Sequence, residues 1–111
     1  MKILTILFLL LLSSFGLACP VEKANIVGVY SYQSGVIFYQ EFQLSENDEF
    51  NSWLNNRLDS SGTWGLDVCT VKIKLRAQND IVEFKIIEST PTQITVIFKG
   101  YETISVFKKS K

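Results

Sequence analysis

The chain has 111 residues with 11 basic and 11 acidic side chains, no histidine and a formal net charge of zero. The two signs are interspersed and form no basic stripe, so the chain lacks the electrostatic footprint of a nucleic-acid-binding protein. The absence of histidine removes the commonest general base and every histidine-dependent triad. The composition therefore argues against an enzyme.

The first 18 residues are predicted to be a secretory signal peptide. Lys2 supplies a positive start, residues 3–12 form an apolar run interrupted only by Thr5, and small residues follow in 13–18. This run is too short to cross a hydrocarbon core of about 30 Å, and its order of segments is that of a signal peptide. A membrane anchor or a buried helix is the alternative. Residues 19–25 are predicted to be a leader, and residues 26–109 a single domain.

The two cysteines allow two interpretations. Gly16 and Ala18 match the small-residue rule for signal cleavage, which makes Cys19 the first mature residue. In a secreted or periplasmic protein, Cys19 is then expected to form a disulfide with Cys69. Alternatively, a cysteine directly after an apolar run resembles a bacterial lipobox, although Gly16 stands where that pattern usually has leucine. In that case a lipid on Cys19 would be the chain's contact with a membrane.

The rest of the chain predicts short strands, because apolar and polar residues alternate with a period of two. The clearest example sets Cys69, Val71 and Ile73 on one face against Lys72 and Lys74 on the other. The eighth strand is predicted to place Ile104 and Val106 on its apolar face. The eight predicted strands are Ile26–Tyr32, Val36–Leu44, Glu49–Asn55, Ser60–Leu66, Val68–Arg76, Ile81–Glu88, Thr92–Phe98 and Tyr101–Lys108.

The connections between these strands have two to five residues, which fits sequential antiparallel hairpins. One apolar and one charged face per strand fits a sheet with one wet side. Closure into a barrel would remove the unpaired edges, with the first strand beside the last; a two-sheet sandwich is the alternative. The prediction is an all-β, eight-stranded antiparallel up-and-down barrel with short strands. Large inward rings are expected to fill most of it and leave a small cavity at one end: Phe38, Phe42, Phe50, Trp64, Phe84 and Phe98.

Several short motifs resemble the bacterial lipocalin-like domain families of the calycin group. They are Gly28-Val29-Tyr30 in the first strand, Phe42 followed by Glu49-Phe50, Gly62-Thr63-Trp64 in the fourth strand, and the closing Ile104-Ser105-Val106-Phe107-Lys108. The resemblance implies an up-and-down barrel with a binding role. Gly28, Tyr30, Gly62 and Trp64 are interpreted as structural, with Lys108 lying over one of the two rings.

No motif for a metal or a cofactor is found. The run Glu46-Asn47-Asp48-Glu49 lacks the glycine and distal glutamate of a calcium loop, so it is interpreted as a solvated turn. The candidate chemistry lies in the aromatic residues instead. Tyr32 and Tyr39 are predicted on the outward face or near strand ends, where they and Phe38 would line the mouth of the barrel and bind a small apolar ligand. Trp53 is the candidate for a protein-partner surface, as in a hydrolase inhibitor or an envelope assembly partner. The chain is expected to be a monomer.

Overall fold

A computed structural model describes residues 19, 21–77 and 79–110. The predicted signal peptide, residues 1–18, lies outside the described residues, as does Gln78 of one predicted turn. No helix in the described part of the chain is long and apolar enough to cross a membrane.

Eight antiparallel strands form a closed barrel in which each strand pairs with the next and the last returns to the first. A single helical turn, α1 (Lys23–Ile26), precedes them. The strands are β1 (Gly28–Ser34), β2 (Glu41–Leu44), β3 (Glu49–Leu54), β4 (Arg57–Asp67), β5 (Thr70–Leu75), β6 (Ile81–Thr90), β7 (Gln93–Phe98) and β8 (Ser105–Lys109). The predicted all-β barrel is confirmed, including the pairing of its first and last strands.

Inward side chains fill the interior of this barrel. The predicted alternation on β5 is confirmed, because Val71 and Ile73 are fully buried while Lys72 and Lys74 are exposed. Six aromatic side chains are at most 1% exposed and pack against one another: Tyr30, Phe42, Phe50, Phe84, Phe98 and Phe107. Such filling is expected, since an eight-stranded barrel is barely wide enough for its own side chains.

The predicted strand boundaries are wrong where the chain folds over a barrel end. The first strand begins two residues later than predicted, because residues 23–26 form α1. The second strand begins only at Glu41, and residues 35–40 form an irregular loop. The eighth begins at Ser105 rather than at Tyr101. The β1–β2 loop is rich in apolar residues, so its sequence reads as a continuation of the strand.

The predicted inward face of the eighth strand is also wrong. Ser105 and Phe107 face the interior and are fully buried, whereas Ile104 is 47% exposed. The β1–β2 loop passes so close that a Cβ on Gly35 would lie 2.1 Å from the Ile104 carbonyl oxygen. The Ser105 hydroxyl accepts a hydrogen bond from the Val36 amide at 3.1 Å. A small polar residue is therefore required at this inward position.

The two ends of the barrel differ. At the end that we call the sealed end, α1 covers the core and its Ile26 is fully buried. The Trp64 indole donates a hydrogen bond to the Ser45 carbonyl at 3.0 Å. The Lys23 ammonium lies 5.2 Å from the centre of the Trp64 ring and pairs with Asp48. The opposite end, which we call the open end, carries the β1–β2, β3–β4, β5–β6 and β7–β8 connections.

A disulfide joins Cys19 to Cys69 at the sealed end, with their Cα atoms 5.5 Å apart. The predicted pairing is therefore confirmed. The bond closes a loop over a sequence separation of 50 residues, which stabilises the fold by about 4 kcal/mol in the chain-entropy model. It uses the Cys19 sulfur, the atom that would otherwise carry a lipid.

Candidate functional site

A cavity of about 410 Å³ lies at the open end of the barrel. Phe38, Tyr39, Leu75 and Val82 line it, and Asp59 and Asp80 contribute charged side chains. Its volume is at the small end of the range for ligand pockets, about 300–1,000 Å³. The expected small cavity at one barrel end is therefore present.

Tyr39 is the unusual residue of this cavity. Its side chain is only 7% exposed, and its ring centre lies 5.3 Å from that of Phe50 and 5.7 Å from that of Phe42. Its hydroxyl oxygen is buried and forms no hydrogen bond with any residue that the structure describes. A buried polar group without a partner typically costs about 1–3 kcal/mol.

The Tyr39 hydroxyl stays protonated at neutral pH. Burial, and then the nearby negative charge of Asp59, raise the pKa of Tyr39 above its ordinary value. A protonated phenol can both donate and accept a hydrogen bond. The prediction that Tyr39 faces outward is wrong, because it belongs to the irregular loop at residues 35–40, where strand alternation no longer sets direction.

Asp59 lines the cavity because β4 is irregular at this point. In the ladder between β3 and β4, Ser52 pairs with Ser60 and Trp53 pairs with Leu58, so Asp59 is left over as a β-bulge. Such bulges redirect a side chain out of the regular alternation. Asp80 comes from the β5–β6 connection, and its carbonyl accepts a hydrogen bond from the Leu75 amide at 3.1 Å.

Phe38 forms an aromatic face beside Tyr39. Its ring stacks on Phe98 with a centroid distance of 4.6 Å and an interplanar angle of 8°, and its edge meets Tyr101 at 6.0 Å. The prediction that Phe38 fills the interior is wrong, because 36% of it is exposed. The buried Phe98 already occupies the core below it. Phe38 thus contributes a partly exposed ring to the cavity wall.

Tyr32 lies away from this cavity. It lines a separate groove of about 390 Å³, together with Gln40, Trp53 and Asn55. The Tyr32 hydroxyl donates to the Gly35 carbonyl at 2.6 Å, so its polar group is already paired. The three residues predicted to line the mouth are therefore divided, with Phe38 and Tyr39 in the cavity and Tyr32 in the groove beside Trp53.

Apolar side chains surround the open end. Seven of the nine large apolar side chains that are exposed in the described residues lie there: Ile37, Phe38, Leu54, Leu58, Ile81, Tyr101 and Ile104. We call this set the apolar rim. Scattered exposed apolar residues are ordinary, whereas these seven share one end of the barrel.

The residues predicted to be structural lie in the packed part of the barrel. Gly28 begins β1, and the Tyr30 hydroxyl donates to the Ile26 carbonyl at 2.7 Å near the sealed end. A Cβ on Gly62 would lie 2.0 Å from the Lys74 carbonyl oxygen, so the close approach of β4 to β5 requires glycine. The cation over Trp64 is Lys23. Lys108, expected over that ring or over Tyr30, is exposed on β8 beside Ser31.

Asp59 and Asp80 line the cavity, although both lie in turns between the strands predicted from the sequence. In an up-and-down barrel every second connection lies at the same end, so both turns belong to the open end. The order of the connections along the chain is therefore the sequence signal for the position of these two residues. It could place Asp59 and Asp80 at one end, but it could not show that a bulge directs Asp59 into a cavity.

No group of three or more acidic or cysteine side chains that could hold a metal ion occurs among the described residues. A scan against protein-family models, a search of curated proteins and a search of solved structures each find no match to this chain. The fold is therefore described from the structure of this chain alone. Its resemblance to lipocalin-like domains remains a prediction from short motifs.

Proposed function

We propose that this chain is a non-enzymatic, extracytoplasmic binding protein of lipocalin-like type that holds a small, largely apolar molecule at the open end of its barrel. The observation that carries the proposal is the open-end cavity of about 410 Å³, which Phe38, Tyr39, Leu75 and Val82 line together with Asp59 and Asp80. A mostly apolar wall with a few polar groups is the usual composition of a small-molecule pocket.

The closed interior supports a shallow site rather than a deep one. Phe42, Phe50 and Phe98 occupy the barrel beneath the cavity and are at most 1% exposed. A ligand would therefore contact the loops, with Phe38 against its apolar part. This arrangement suits a molecule smaller than the ligands that fill a wide barrel.

Two observations support an extracytoplasmic location. The Cys19–Cys69 disulfide is of a kind that persists in oxidising compartments. The first 18 residues read as a secretory signal. Secretion or export to a periplasm accounts for both.

A second candidate function is a protein–protein module. The apolar rim favours it, because exposed apolar side chains from two connections and from the adjoining strand ends would form a contact surface around the cavity. Trp53, in the neighbouring groove, would lie at the edge of that surface. A secreted-hydrolase inhibitor or an envelope assembly partner would use such a surface.

An NMR fragment screen on the ¹⁵N-labelled oxidised chain tests the first proposal. We expect fragments with a small ring and one polar group to shift the amide signals of Tyr39, Asp59 and Val82. Amides of the sealed end, such as that of Trp64, serve as the internal control and should not move. Shifts confined to the groove beside Trp53, or no shifts at millimolar fragment, would contradict the proposal.

A further inference from the structure

We propose that the groove beside Trp53 binds a neutral pyranose sugar, which lays one face of its ring on the indole and presents its hydroxyl groups to the polar wall. This site is additional to the proposed open-end site, because no residue lines both the groove and the open-end cavity. The groove is lined by two aromatic side chains, three carboxamides and one carboxylate, among others: Tyr32, Gln40, Glu41, Trp53, Asn55 and Asn56.

The strand register puts an aromatic ring and a carboxylate side by side on the outer surface of the barrel. Glu41 of β2 pairs with Trp53 of β3. Their neighbours along the strands, Phe42 and Ser52, face the interior and are at most 1% exposed. Because consecutive residues of a strand point to opposite faces, Glu41 and Trp53 point outward. Directly opposed residues have Cβ atoms about 4.5–5.5 Å apart, so one small ligand can contact both side chains.

A hydrogen bond orients the carboxamide of Gln40 in the groove. The Asn55 amide donates to the Gln40 Oε1 atom at 2.6 Å. Because a backbone amide can only donate, this contact leaves the NH₂ group of Gln40 as the donor for a ligand. Asn55 and Asn56 form the two-residue turn between β3 and β4, with positive φ angles of 53° and 66°. A hairpin turn of this kind holds its residues in one conformation, so this end of the groove is ordered before a ligand binds.

The charge in the groove favours an uncharged ligand. Glu41 is the one charged side chain among the described residues that line it, and it forms no ion pair with any of the described residues. A single carboxylate at the surface attracts a cation only weakly, and it repels an anion. It is, however, a good acceptor for hydroxyl donors.

The combination of an aromatic ring with planar polar side chains matches the two kinds of surface of a sugar. The face of a pyranose ring carries C–H groups, which pack on the negative face of an aromatic ring, and its edge carries hydroxyl groups, which donate and accept hydrogen bonds. The core of a protein interface is mostly apolar, whereas the wall around Trp53 is mostly polar. A groove of about 390 Å³ is large enough for a small ligand of this kind.

NMR titration of the ¹⁵N-labelled oxidised chain tests the inference, with the neutral methyl glycosides of glucose, galactose, mannose and N-acetylglucosamine as probes. The chain has two tryptophans, so its spectrum contains two indole N–H signals. We expect a glycoside to shift the Trp53 indole signal and the Glu41 amide signal. The Trp64 indole, which donates to the Ser45 carbonyl at the sealed end, is the internal control and should not move.

Variants separate ring stacking from hydrogen bonding. Trp53→Ala should weaken glycoside binding about tenfold, and Trp53→Phe should weaken it less, because phenylalanine keeps a ring on that face. Glu41→Ala should weaken binding about fivefold through the loss of an acceptor. Glu41→Gln should change it by less than about twofold, since a carboxamide also bonds hydroxyl groups. Tyr101→Ala, which removes an exposed ring from the apolar rim, is the matched control. The Trp64 indole signal reports whether each variant is folded.

If no glycoside of this series shifts the Trp53 indole signal at high millimolar concentration, the inference is overturned. Equal losses with Tyr101→Ala and Trp53→Ala would also overturn it, because binding would then not depend on the groove. Glycoside shifts confined to Val82 and the open-end cavity would place the sugar in the wrong site and have the same consequence. None of these results decides whether the cavity binds an apolar molecule, which the fragment screen tests separately.

Discussion

Two buried tyrosines of this barrel differ in how their hydroxyl groups are satisfied. The rings of Tyr30 and Tyr39 both pack against Phe42, at centroid distances of 5.1 Å and 5.7 Å. The Tyr30 hydroxyl donates to the Ile26 carbonyl, whereas the Tyr39 hydroxyl has no partner in the described residues. The Tyr30 hydroxyl therefore contributes to stability, whereas the Tyr39 hydroxyl carries a desolvation penalty.

This difference predicts opposite effects for the same substitution. Tyr30→Phe leaves the buried Ile26 carbonyl without its donor and should lower the free energy of unfolding by about 1–3 kcal/mol. Tyr39→Phe removes an unpaired hydroxyl and should leave the stability of the ligand-free protein unchanged or raise it by up to about 1 kcal/mol. Urea unfolding of the two variants measures both. A loss for Tyr39→Phe as large as that for Tyr30→Phe would mean that its hydroxyl is paired in solution.

At the scale of elements, the sealed end is held by several independent contacts. The helix α1 covers the core, Lys23 pairs with Asp48 and lies over Trp64, and the Cys19–Cys69 bond ties the N-terminal segment to the β4–β5 turn. The ion pair is exposed and contributes little. The disulfide is the contact expected to contribute most, because it closes a long loop.

Removing both cysteines tests this contribution. The double variant Cys19→Ser, Cys69→Ser should lose up to about 4 kcal/mol of unfolding free energy, because its unfolded chain is no longer constrained. Chemical denaturation gives the value, and wild type treated with dithiothreitol is the matched control. The two should agree, and fragment binding at the open end should survive wherever the barrel stays folded. Equal stability of oxidised wild type and the double variant would contradict the bond.

The strands were more predictable from sequence than the segments that build the site. On β5 the alternation of Val71, Lys72 and Ile73 predicts which side chains are buried. Consecutive residues of a regular strand point to opposite faces of the sheet, and only one face contacts the core. The closed barrel could be predicted because closure leaves no edge strand with unpaired backbone groups. Alternation does not predict the positions of Tyr39 and Asp59, because Tyr39 lies in an irregular loop and Asp59 lies in a β-bulge. Alternation does not predict the inward position of Ser105 either, because this position depends on the close approach of Gly35, which is distant in sequence.

At the scale of the whole molecule, the stabilising contacts and the candidate site lie at opposite ends of the barrel. Its alternating connections place α1, the disulfide and Trp64 at one end, and the cavity and the apolar rim at the other. The open-end loops can carry function because the closed ladder and filled core hold the fold without them. We propose that a small molecule binds at this open end, against Phe38 and Tyr39.

A crystal structure of the oxidised protein with the tightest-binding fragment of the NMR screen tests this claim most directly. We expect fragment density in the open-end cavity, with the fragment's ring against Phe38 and Tyr39. Density in the groove beside Trp53 or at the sealed end, with the open-end cavity unoccupied, would contradict it.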